Sequence, residues 1–191
     1  MSLDQTPLDY AGTMLVAMPA IYDASFRGAV VLVCAYSADG AMGLVVNRLA
    51  ANPPIQAASD HAPSVLHALA ATRPIHAGGP AEPARPFALH STDWTDGAAT
   101  LRVDDDHALT ATPEALAILS TDRGPDRALV ALGYAGWGPG QLEDEVRANL
   151  WLPTPADPRV VFDLPLGDRW RAAAALVGVT PEALSGTAGH A

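Results

Sequence analysis

The stretch AVVLVCAYSADGAMGLVVN, residues 29–47, decides the fold. Its first half, Ala29 to Tyr36, is an uninterrupted apolar run of the length expected for a buried strand. Ser37-Ala38-Asp39-Gly40 then supplies turn chemistry, because short polar side chains bond their own backbone and glycine accepts the conformations a tight reversal needs. Ala41 to Asn47 returns as a second apolar run, so the whole segment predicts a β-hairpin. Gly43, inside the return strand, has no side chain to pack and predicts a bulge or a close backbone approach. Cys34 is the chain's single cysteine, which excludes an internal disulfide and the paired-cysteine metal and redox motifs. In this apolar setting its thiol reads as a small core hydrophobe.

Outward from the hairpin the same logic applies. Thr13 to Met18, ended by Pro19, reads as a strand. Residues 50–63, rich in Ala, Pro, Asn and Ser, read as a surface loop, and Ser64 to Ala71 as a short helix with Ser64 as N-cap and Val65 and Leu69 on one face. Pro74 to Ala77, Phe87 to Ser91, Ala99 to Val103 and His107 to Ala111 are short strand candidates separated by turn formers, the pattern of a meander. Thr112-Pro113-Glu114 is a helix start, with a capping hydroxyl, a proline at the first helical position and an acid at the positive dipole end. That helix should reach about Thr121.

Arg127 to Tyr134 reads as a central strand. Gly136-Trp137-Gly138-Pro139-Gly140 links it to a helix from about Gln141 to Leu150, whose apolar stripe is Leu142, Val146 and Leu150 and whose Glu143 and Arg147 are spaced to pair. Arg159 to Phe162 is a further strand candidate. Asp168 to Val177 is a helix expected to turn Trp170, Ala174 and Val177 to the core, and Thr180-Pro181 opens a last turn. Hairpins outnumber clean strand-helix alternation, which makes the fold class α+β. One domain is expected over residues 11–185, between a flexible N-terminal tail, 1–10, and a C-terminal tail, 186–191.

With 191 residues, 49% hydrophobic and 17% charged, the chain can bury a core of its own. Its 21 acidic residues face 11 arginines and no lysine, for a formal charge of −10. Such a surface repels phosphate backbones, so direct nucleic-acid binding is not expected. Absence of lysine excludes Schiff-base chemistry and a lysine phosphate clamp. No stretch has the ~18 consecutive apolar residues of a membrane span, and the N-terminus lacks a signal-peptide pattern, which together predict a cytoplasmic protein without a membrane partner.

The histidines, His61, His67, His76, His90, His107 and His190, show no paired spacing with other metal ligands, so no metal or other cofactor is expected. Asp104-Asp105-Asp106-His107 reads as a solvated turn with one Asp bonding its own backbone, since successive strand residues point to opposite faces. No nucleophile-elbow or serine-lysine motif is present, and no catalytic residue is assigned. The glycine cluster Gly136, Trp137, Gly140 and Gln141, a strand-to-helix turn, reads first as glycines that let Trp137 pack across the turn and second as a candidate ligand rim, where Glu143, Asp144 and Glu145 would repel a phosphate. Gly78, Gly79 and Pro80 read as a tight turn first and as a second candidate rim after that, and Asn47 and His90 could add polar groups to a pocket between the two turns.

Several separated blocks resemble the AlgH/YqgE family of bacterial proteins: Met14 to Pro19, Gly40 to Arg48, Gly78-Gly79-Pro80, Leu89-His90, Ala131 to Trp137 with Gly140 to Glu143, Asn149, Trp151-Leu152, Asp168-Arg169-Trp170 and Ala188 to Ala191. The resemblance implies a forked, partly barrel-like and mostly antiparallel sheet surrounded by helices. It also implies a bacterial cytosolic protein of the kind described as a transcriptional regulator, and it carries no catalytic residues over. Ala35-Tyr36 stand where the family often has an acid and a histidine, Gly28 where serine is common, and Leu49 where proline is common. The reading is a non-catalytic binding or regulatory protein acting through a protein or small-molecule partner. The rival is an enzyme of unknown class, such as a hydrolase, with its pocket near the glycine-rich turns.

Overall fold

A computed structural model describes residues 9–53 and 63–180. The expected tails, most of the 50–63 loop, the Pro181 turn, His61 and His190 lie wholly or largely outside the described residues. Among the described residues nine strands form one sheet: β1 Thr13–Ala17, β2 Val30–Ser37, β3 Gly40–Val45, β4 Ile75–Ala77, β5 Ala81–Ser91, β6 Thr100–Arg102, β7 His107–Thr110, β8 Ala128–Trp137 and β9 Trp151–Pro155. Their order is β6-β7-β5-β8-β3-β2-β1-β9, with β4 parallel to β8 and all other pairs antiparallel. Helices α1 Pro63–Thr72, α2 Pro113–Ile118, α3 Gln141–Arg147 and α4 Leu166–Ala175 pack around this curled sheet. The fold is α+β.

The 29–47 hairpin forms as its sequence dictates, with Ser37 opposite Gly40 across the turn. Its register slips between Val33 and Ala35, and Gly43 is the close approach: a Cβ there would lie 2.7 Å from a Val31 methyl and 2.8 Å from the Leu32 carbonyl oxygen. Strand alternation explains why the run is apolar on both faces. Val30, Leu32 and Cys34 enter one core with Met14, Val16, Leu129 and the inner side of α4, while Val31 and Val33 enter another with Leu15, Trp137, Leu142 and Trp151. A third core joins α1 and α2 to β5 and β8 through Leu66, Leu69, Leu116 and Val130.

The fork lies in β8. Leu129 to Leu132 pair with β5, and Val130 to Leu132 with β4 on the other edge; further along, Ala135 to Trp137 pair with β3. Where β4 ends, the backbone of Gly78 and Gly79 presses on β8. A Cβ on Gly79, whose φ is +155°, would lie 2.1 Å from the Tyr134 carbonyl carbon, and one on Gly133 2.4 Å from the Gly79 oxygen. Only glycine allows that contact.

Several local expectations are corrected. Residues 159–163 form a π-helical turn rather than a strand, because Asp157 caps it: its carbonyl accepts from Val160 and Val161 and its carboxylate from the Arg159 N–H. The helix expected to reach Leu150 ends at Arg147, and Asn149 takes a left-handed conformation, φ 56°, that turns the chain into β9. Pro153 and Pro155 mask β9 in the sequence, but an edge strand tolerates them on the side that needs no ladder donors. Arg147 pairs with Asp144 rather than Glu143. Ser64 lies inside α1, whose first residue is Pro63, and Val177 lies past the end of α4 and is exposed.

Candidate functional site

The hollow of the curled sheet holds a cleft of about 680 Å³, to which β2, β3, β5, β6, β7 and β8 all contribute. Strand alternation builds its walls. Tyr134 and Gly136 lie two residues apart on β8 and face it together, and the glycine leaves open the space a side chain would fill. Met42, Phe87 and Leu109 form an apolar floor continuous with the first core. Leu101 stands on the rim, 44% exposed.

Ser37 and Asp39 of the hairpin turn reach the mouth of the cleft, and its other charged and phenolic groups are held in place. The Arg85 guanidinium lies 5.2 Å from the centre of the Phe87 ring and 3.2 Å from a Glu82 carboxylate oxygen. Tyr134 donates its hydroxyl to Glu82 at 3.1 Å, and Tyr36 donates to Glu143 on α3. The Glu143 carboxylate, helped by partial burial, pushes the Tyr36 phenol up to about 12, and Glu82 raises Tyr134 in the same way. Both phenols are therefore neutral at physiological pH. Tyr10, at the end of the stretch read as a tail, is buried and meets Tyr36 edge-to-face at 5.4 Å.

One carboxylate secures α3 behind the cleft wall. Glu145 accepts from the indole N–H of Trp137 at 2.8 Å and of Trp151 at 2.7 Å on the same oxygen, while Gln141 donates to its other oxygen at 2.8 Å. Gly136 and Trp137, expected in the linking turn, are instead the last residues of β8, and Trp137 is buried with its polar edge satisfied.

Of the residues singled out in the sequence, Gly136 and Trp137 line this cleft; Asn47, Gly78, Gly79, Pro80, His90, Gly140 and Gln141 do not. Asn47 accepts from the Val30 N–H at 2.8 Å and donates to the Gly28 carbonyl at 2.9 Å, extending the hairpin ladder. His90 is fully buried, with Nδ1 2.9 Å from the Ser91 carbonyl and Nε2 2.9 Å from the Thr110 hydroxyl. A carbonyl can only accept, so Nδ1 carries the proton and Nε2 accepts. Burial lowers its pKa, against a smaller opposing pull from the Ser91 carbonyl, so the ring stays neutral. Tyr36, Arg85, Phe87 and Tyr134 were not singled out; the signal was the placement of Tyr134 on the same strand face as Gly136.

Two further groups bear on chemistry. Burial pushes the Cys34 thiol up to about 12, which makes it a poor nucleophile. The expected turn at Asp104 forms: its carboxylate accepts from the Asp106 and His107 N–H groups at 2.8 and 2.7 Å, and also meets His107 Nδ1 at 2.9 Å. Burial pushes this carboxyl up, but those hydrogen bonds outweigh it and hold the pKa below its ordinary value. His107 is buried and stacks on Phe162, an inward placement the turn pattern did not disclose. Among the described residues no group of three His, Cys, Asp or Glu side chains is arranged to hold a metal ion.

Comparison with known proteins places this geometry. A family model described as AlgH-like matches residues 14–182. A UPF0301 protein of Ruegeria pomeroyi is 43% identical over 185 residues, covering 96% of this chain and 100% of the relative. A UPF0301 protein of Methylobacterium nodulans is 42% identical, covering 94% of this chain and 89% of its own. The solution structure of the AlgH protein from Pseudomonas aeruginosa superposes with a TM-score of 0.72 at 34% identity, covering 100% of both chains. A crystal structure of a Corynebacterium diphtheriae protein shares the fold, with a TM-score of 0.67 at 21% identity over 93% of this chain and 91% of that one.

Proposed function

Because the chain belongs to the AlgH-like family, we propose that it is a non-catalytic binding protein of regulatory role, and that the cleft in the curled sheet receives a small organic molecule. The observation that carries this reading is the cleft itself: a large concave site, mostly apolar, with a few immobilised polar groups, is how proteins hold small ligands. The apolar floor suits a flat or hydrocarbon body, and Arg85, Tyr36 and Tyr134 suit polar ends. Both phenols are held neutral by the carboxylates they donate to, so at the cleft they act as fixed polar contacts and not as phenolate nucleophiles, which suits binding. Regulation would pass to a protein partner. The −10 charge and the lack of lysine argue against direct contact with nucleic acid, and among the described residues no helix is long and apolar enough to cross a membrane.

Native mass spectrometry of freshly prepared protein tests the reading. A bound small molecule is expected with the wild-type chain and not with Gly136→Val or Leu101→Glu, which fill and charge the cleft while leaving its floor in place. Equal occupancy in all three would remove the cleft from consideration. Turnover in a broad hydrolase screen, lost in the same variants, would establish the enzymatic alternative instead.

A further inference from the structure

Beneath α4 lie an imidazole and a guanidinium that take no part in the cleft. His76, on β4, is 4% exposed, and neither ring nitrogen has a hydrogen-bond partner. Arg169, on α4, is 5% exposed; it donates from Nε to the Leu164 carbonyl at 2.9 Å, from Nη1 to those of Val46 and Val161, and from Nη2 to that of Phe162 at 3.2 Å. A guanidinium has five N–H donors, so one on Nη2 remains. Among the described residues no carboxylate lies within ion-pair distance of Arg169. Buried imidazoles are normally hydrogen-bonded and buried cations normally form an ion pair; His76 lacks the first, and Arg169 feels the Asp163 charge only from beyond ion-pair distance.

Both side chains line one cavity of about 320 Å³, walled by Leu129, Phe162 and Leu166. Leu166 opens α4 and Pro165 ahead of it provides no side-chain cap; the Asp168 N–H donates to the Pro165 carbonyl at 2.9 Å, which leaves the Leu166 and Gly167 N–H groups of the first turn without an intrahelical acceptor. The charged groups around the cavity are Arg73, Arg169 and Asp163, the last paired with Arg127 at 3.3 Å, and Asp168 sits in the first turn of α4. Burial, and then the Arg169 charge, lower His76 to about 4; the Val130 carbonyl pulls weakly the other way without a hydrogen bond of good geometry. At neutral pH the ring therefore offers one N–H and one acceptor nitrogen.

We propose that this cavity binds a small organic carboxylate, with the anion between His76 and Arg169 and a short apolar body against Leu129, Phe162 and Leu166. A single negative charge matches the surplus beside Arg169, whereas Asp163 and Asp168 disfavour a doubly charged phosphate. The cavity shares no lining residue with the cleft, so the two assignments stand or fall separately.

The test is an NMR titration of the full chain with butyrate, alongside inorganic phosphate and chloride, followed on the His76 ring and on the Phe162 and Leu166 amides. Expected are saturable shifts with butyrate alone and an upward move of the His76 titration midpoint as the anion stabilises the protonated ring. His76→Phe keeps an aromatic ring, whose small extra volume the adjoining cavity can take, and removes both nitrogens, so it should fold and bind butyrate at least tenfold more weakly, about 1.4 kcal/mol. Non-saturating changes common to all three anions would overturn the site, as would wild-type affinity in His76→Phe. Saturation by phosphate without butyrate would overturn the carboxylate class.

Discussion

Asn47 uses both ends of its amide on the backbone of residues 28 and 30, and Arg48 donates to the carbonyls of Ala24, Ser25 and Arg27. Polar residues that a sequence offers as ligands are thus occupied in holding a loop. His76 is the contrasting residue. Its folded pKa of about 4 lies below the ordinary 6.5, so the unfolded chain binds the extra proton first as the pH falls. Its contribution is complete above pH 6.5 and is lost between 6.5 and 4, to the extent of about 3 kcal/mol. Urea unfolding at stepped pH should show this slope in the wild type, and His76→Phe should reduce it, leaving the same-signed part that the buried His90 contributes. Asp104→Ala removes the acceptor for two backbone N–H groups and the His107 ring, and should cost about 2–3 kcal/mol in the same assay. The turn at Asp104 was legible because Asp chemistry is local. The burial of His107 was not, because Phe162, its stacking partner, lies 55 residues away in sequence.

At the scale of elements, the strands with continuous apolar runs were legible, since β1, β2 and β8 bury both faces and need no polar alternation. Residues 159–163 and β9 were not. A Val-Val-Phe run suits a strand or a buried turn equally, and the Asp157 cap decides, while the prolines of β9 are acceptable only because tertiary order puts it at an edge. The link between α3 and β9 is concentrated in Glu145. Glu145→Leu strands two indole N–H groups and should destabilise the chain by about 2 kcal/mol or more, with a change in tryptophan fluorescence before global unfolding. Gly79→Ala drives a methyl into the β8 backbone and should cost roughly 3 kcal/mol or more in denaturant stability. The Gly-Gly-Pro turn was visible in the sequence as a possible ligand rim; its close packing on β8 depends on the fork, which no local pattern encodes.

For the whole molecule, curling one sheet over its own core creates the cleft, and the fork in β8 sets its walls. Gly136 and Trp137 pointed to that region from sequence, but Tyr36, Arg85 and Phe87 come from strands far apart in the chain and meet only through the sheet order. Hydrogen–deuterium exchange tests the binding reading most directly, comparing freshly prepared protein with protein stripped of small molecules by unfolding and refolding. The account predicts faster exchange after stripping, confined to residues 35–42 and 134–137 and reversed when the released small molecules are returned. Identical exchange in the two preparations, with nothing released on unfolding, would contradict it.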